Sequence, residues 1–78
     1  MSSEDKLRDA LEAVFGPEGL SYSDEDGAGI TPAWDSVAHL NLIVTLEAEL
    51  GITFDTSEIP ELRTLGKLRE RVRRIDAG

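Results

Sequence analysis

Trp34-Asp35-Ser36-Val37-Ala38-His39-Leu40-Asn41-Leu42-Ile43-Val44-Thr45-Leu46-Glu47-Ala48-Glu49-Leu50-Gly51 is the stretch that decides the fold. From Val37 to Leu50 it contains no Gly or Pro, Asp35-Ser36 supplies an N-terminal cap, and Gly51 supplies a stop. At 100° per residue, Leu42, Ile43, Leu46 and Leu50 fall within roughly 100° of one another and face a core. His39 falls on the same side. Val37, Leu40, Val44 and Ala48 form a second apolar facet nearly opposite, while Asn41, Thr45 and Glu49 make a narrow polar stripe. A helix with two apolar faces in so small a domain either has its second face covered by the long preceding loop or offers it to a partner.

Outward from this helix the pattern stays helical. Leu7, Leu11, Val14 and Phe15 recur at helical spacing behind Ser2 or Ser3 as cap, with Glu4 and Asp5 in the first turn. Gly16-Pro17 ends that helix. The segment from Gly16 to Trp34 is rich in Gly, Pro, Ser, Asp and Glu and reads as a long structureless loop anchored by Leu20, Tyr22, Ile30 and Trp34. Beyond Gly51, Ile52-Thr53-Phe54 is a short extended bridge. Asp55, Thr56 or Ser57 then caps a short helical turn through Ile59 and Leu62, with Pro60 in its first turn. Thr64 caps a last helix carrying Leu65, Leu68, Val72 and Ile75, with Gly78 trailing off. The expected fold is all-α: a single domain over 1–78 with three longer helices, one short third helix and a long first loop.

Composition narrows the function. There is no cysteine, so disulfides, thiolate metal sites and a cysteine nucleophile are excluded together, and a lone histidine makes no zinc site. The net charge of -8 disfavours nucleic acid and favours basic protein partners. No apolar run is long enough to span a bilayer, and the N-terminus lacks the pattern of a secretory signal, so a cytoplasmic protein is expected. Charge is uneven. Residues 63–78 hold six basic side chains against two acidic ones, and the rest of the chain holds two against fourteen. The basic run either complements the macrodipole of the last helix or forms an anion patch. The cluster Asp24-Glu25-Asp26-Gly27 fails as a calcium loop. With Gly27 sixth, Tyr22 and Ala33 would occupy the first and twelfth ligand positions.

Asp35, Ser36 and His39 resemble a nucleophile, orienter and base only by residue type. They share one turn of one helix, with no second element to lock the imidazole. Ser36 has position instead: a phosphate esterified there would meet the unpaired N–H groups and positive end of a helix. Capping by Asp35 or Ser36 is the plainer reading of the same two residues.

The run Trp34–Ile43, continued by Leu46-Glu47-Ala48-Glu49-Leu50-Gly51-Ile52, resembles the centre of an acyl carrier protein. That family's Asp-Ser-Leu motif appears as Asp35-Ser36-Val37, and the likeness continues through Phe54, Ile59, Leu65 and the last helix. The resemblance implies an acyl-carrier-like four-helix bundle that is not an enzyme. It implies that Ser36 carries 4'-phosphopantetheine, transferred from coenzyme A by a phosphopantetheinyl transferase. The thiol of that arm would hold acyl or aminoacyl groups as thioesters in fatty acid, polyketide or other secondary-metabolite biosynthesis. Partners would be an acyl- or aminoacyl-activating ligase, a ketosynthase or an acyltransferase, and the chain would be a monomer. Docking would use Asp35, Val37, Leu40, Asn41, Val44, Glu47 and Ala48; His39, Leu46, Phe54 and Ile59 would line a cargo pocket.

Two departures refine the resemblance, the first of them toward a specialised carrier. Ala38, Asn41 and Ala48 stand where acids are common in fatty-acid carriers, which shifts docking toward apolar contact. Ala33-Trp34 replaces the Gly-Gly pair of peptidyl carriers, which favours an acyl-type carrier. The competing class is an unmodified acidic helical adaptor that binds a protein partner through the same apolar facet.

Overall fold

A computed structural model describes residues 2–77, apart from the Ala77 side chain; Met1 and the trailing Gly78 lie outside the described residues. The chain forms α1 (Ser3–Phe15), α2 (Ser36–Leu50) and α3 (Leu65–Ala77), with 3-10 turns at Gly16–Ser21 and Ile59–Glu61. No β-strand occurs among the described residues, so the all-α expectation holds. The expected short third helix is only the three-residue 3-10 turn Ile59–Glu61. Pro60 lies at its start, and the Glu58 carboxylate reaches back to the Asp55 N–H at 3.1 Å, leaving no side-chain cap to extend it.

Each helix begins on a side-chain cap. Ser2 Oγ accepts from Asp5 N–H, Asp35 Oδ1 from Ala38 N–H at 2.8 Å, and Thr64 Oγ1 from Lys67 N–H. Gly51, at φ 69°, closes α2 by donating its N–H to the Glu47 carbonyl, a left-handed position that glycine adopts without a Cβ clash. α1 is the central element and packs on both α2 and α3. Leu7, Ala10 and Leu11 of α1 meet Leu42, Ile43 and Leu46 of α2 and Leu65, Leu68 and Val72 of α3 in one core, completed by Trp34, Phe54 and Leu62.

The long loop is not structureless. Pro17 sits at the start of a 3-10 turn that packs on α1, and the next segment is stitched to the start of α3. Ala28 N–H donates to the Arg63 carbonyl, Leu65 N–H to Asp26 and Gly66 N–H to Asp24, around an isolated antiparallel bridge between Gly27 and Thr64. The backbones approach so closely that a Cβ on Gly27 would lie 2.2 Å from the Arg63 carbonyl oxygen. Of the four expected anchors only Trp34 is fully buried. Tyr22 is half-buried, and Leu20 and Ile30 are exposed.

The basic C-terminal run joins the structure by ion pairs. Arg69 pairs with Asp24, Arg71 with Glu58 at 2.7 Å and Arg73 with Glu4. Three separate segments are thereby tied to α3, so half of the basic run is committed to acids of the same molecule.

Candidate functional site

The start of α2 separates two jobs that the sequence left to Asp35 or Ser36. The Asp35 carboxylate caps the helix, and Ser36 is exposed with no hydrogen bond from its hydroxyl to any described residue. The backbone N–H groups of Ser36 and Val37 precede any intrahelical acceptor, so the positive end of α2 opens at this hydroxyl.

Below Ser36 the helix presents two faces of opposite fate. Val37, Leu40 and Val44 are 68%, 55% and 57% exposed and, with Ala48, form an open apolar strip, beside which Asn41 is also exposed. The loop does not cover it. Glu47 is diverted from this strip: its Oε2 accepts the Phe54 N–H at 2.7 Å and fixes the bridge after Gly51. On the inner face Leu42, Ile43 and Leu46 are sealed in the core. Leu46 and Phe54, which the resemblance offered as pocket residues and which are equally well explained as core, are buried in that core.

His39 and Ile59 do line an open site. A groove of about 530 Å3 runs beside Ser36, bounded by His39, Leu40, Asp35, Ile59, Pro60, Arg63 and the Ala28-Gly29 backbone. His39, on the first turn of α2, is 7% exposed, and its Nδ1 accepts the indole N–H of Trp34 at 3.0 Å. This bond was not read from the sequence. The available signal was an indole N–H in a polar loop, which needs a partner once buried. Phe15, Tyr22 and Trp34 pack ring on ring and hold the indole in place, with centroids 5.0 to 5.8 Å apart. Burial holds the His39 pKa below its ordinary 6.5; the Arg63 guanidinium acts in the same direction, and the Ile59 carbonyl opposes it. The imidazole is thus neutral at pH 7, with its proton on Nε2.

Among the described residues, no group of three or more His, Asp or Glu side chains is arranged to hold a metal ion. Asp26 instead closes its own loop, accepting from the Ser23 N–H and the Thr31 hydroxyl, and these bonds lower its pKa. No described helix is long and apolar enough to cross a membrane. Comparison with known protein families, with curated proteins and with solved structures gives no match for this chain.

Proposed function

We propose that this chain is a carrier protein of the acyl-carrier type, with Ser36 as the attachment point for 4'-phosphopantetheine. One observation carries the reading: the Ser36 hydroxyl is exposed and unbonded at the open N-terminus of α2, because Asp35 has taken over capping. An anionic phosphodiester there gains from the helix dipole and its free N–H groups. Loading by a partner transferase forms the Oγ–P bond, breaks the diphosphate P–O bond of coenzyme A and releases adenosine 3',5'-bisphosphate. The serine proton passes to the transferase. Once attached, the arm supplies a thiol that holds acyl or aminoacyl groups as thioesters.

In this reading the architecture is a variant of the acyl-carrier bundle, with the Ile59–Glu61 turn in place of a third helix. Val37, Leu40, Val44 and Ala48 would meet the transferase and the ligase, ketosynthase or acyltransferase partner. Asp35 and Asn41 would flank the contact, and Glu47 would take a lesser part because it holds Phe54.

The adaptor reading draws on the same exposed strip, which an unmodified binding module would also need. Intact-mass measurement after incubation with coenzyme A and a promiscuous phosphopantetheinyl transferase separates the two. A carrier gains one phosphopantetheine, and the Ser36→Ala chain gains none. An adaptor gains none in either form, and its partner binding survives Ser36→Asp.

A further inference from the structure

Arg63 is a cation without a carboxylate. Arg69, Arg71 and Arg73 each meet an acid of another segment, whereas Arg63 forms no ion pair among the described residues, in a chain of 16 acids and net charge -8. Its backbone is fixed. The Arg63 carbonyl accepts the Ala28 N–H at 2.8 Å, and the residues on either side, Leu62 and Leu65, are buried. Its side chain is exposed and lies along the Ala28-Gly29 backbone. Nη2 donates to the Ala28 carbonyl at 3.4 Å, longer than a usual N–H···O bond, and a Cβ on Gly29 would stand 3.5 Å from the same atom. The rest of the guanidinium fork has no hydrogen bond among the described residues.

This cation and Ser36 share one rim. Both line the same groove, and Arg63 is the only cation among the lining residues, since His39 is neutral. The charge of Arg63 reaches His39, one helical turn from Ser36, and acts against its protonation. Asp35 sets a carboxylate beside the hydroxyl and is engaged as the cap of α2. An anion attached at Ser36 meets that like charge, and Arg63 is the group at the rim that can offset it.

We propose that Arg63 is a positioning residue for the root of the arm, its guanidinium donating to the free oxygens of the phosphodiester on Ser36 Oγ. The inference rests on the carrier reading of Ser36 and adds the residue that sets the direction in which the arm leaves α2. Arginine–phosphate pairs are charge-assisted and often bidentate, so the fork gains more from the phosphodiester than from one long bond to a carbonyl. Lysine at the same place would keep the charge and lose the second bond.

The test loads the chain with phosphopantetheine, confirms the mass, and follows the phosphodiester by phosphorus-31 NMR and the Arg63 guanidinium N–H groups by nitrogen-15 and proton NMR. Arg63→Gln and Arg63→Lys are loaded alongside. Both should fold, because the stitch to Ala28 is made by the Arg63 backbone and the side chain is exposed. The expected result is a shift of the Arg63 N–H groups on loading, together with a phosphorus resonance displaced in Arg63→Gln and partly restored in Arg63→Lys. That displacement should shrink as salt is raised to about 1 M, where the screening length is about 3 Å. Confirmed loading with the same phosphorus resonance in wild type and Arg63→Gln overturns the inference and leaves the carrier reading standing. An Arg63 N–H shift without a phosphorus difference does the same, because only the rim has then rearranged. Slower loading of Arg63→Gln with unmoved resonances also overturns it and assigns Arg63 to the transferase contact. No mass gain on the wild-type chain overturns both readings.

Discussion

The inner and outer faces of α2 are built from nearly the same side chains and meet opposite fates. Inside, Leu42, Ile43 and Leu46 are almost wholly removed from water; outside, Val37, Leu40 and Val44 keep more than half of their surface. Periodicity marks both faces as apolar and does not by itself decide whether the second is covered. The difference arises outside the helix. α1 covers the inner face, and the loop that had the length to cover the outer one is drawn away to Arg63 and Thr64 by the Gly27 bridge. On the proposed reading, the apolar surface left open below Ser36 is a place for partners, whereas the same chemistry one face round is stability.

The contrast is broken most directly by truncating each face in turn. Leu46→Ala, at 0% exposure, should cost about 2–5 kcal/mol in urea unfolding. Equal losses for Leu46→Ala and an outer-face truncation would erase the distinction. Gly27→Ala strikes the stitch that keeps the loop off the outer face. Its Cβ meets the Arg63 carbonyl, and the backbone shift should cost about 1–3 kcal/mol, read as a lowered Tm.

The His39 contact is sharpened by pH. Its folded pKa is lowered, first by burial and then by Arg63, so the unfolded chain binds the extra proton more readily. The stability it contributes is complete above its ordinary 6.5 and is lost as pH falls from there toward the lowered folded value. Asp26 and Glu58 are also lowered, by bonds from Ser23 and Thr31 and from Arg71 respectively, and lose their contribution only lower, in the carboxylate range. Denaturant midpoints for the wild type should begin to fall near pH 6.5, whereas His39→Gln should hold level until the carboxylates titrate. Parallel curves would show that the imidazole is not buried as described. The smallest effect belongs to Val44→Ala, within about 0.5 kcal/mol of wild type in the same unfolding experiment.

Local signals made the helix starts and stops readable. Asp35 and Gly51 bracket α2 because a cap and a left-handed stop act within a few residues. Thr64 marks α3 for the same reason. Long-range pairing was not readable. The basic residues near the C-terminus invited a macrodipole or an anion patch, but Arg69, Arg71 and Arg73 bind acids 45, 13 and 69 positions away. The exposed pairs Arg69–Asp24 and Arg73–Glu4 are worth only about 0–1 kcal/mol each, Arg71–Glu58 is part-buried, and none of the three leaves a periodic trace. The second facet of α2 was legible as apolar, yet its exposure depended on where a Gly-rich loop was pinned. Leu46, a core residue by periodicity, and Phe54 lie in the core, while His39 and Ile59 line the groove; the resemblance named all four together because the sequence does not reveal which side of α2 the groove opens on.

The central claim is that the proposed function runs through one hydroxyl, that of Ser36 at the N-terminus of α2. Fragmentation mass spectrometry of the loaded protein tests it directly by locating the added group. The account predicts pantetheine release from a single peptide containing Ser36, complete loss of that signal in Ser36→Ala, and slowed loading of a still-folded Leu40→Glu chain. A modified wild type whose label maps to any other residue, or a Ser36→Ala chain that loads normally, would contradict it.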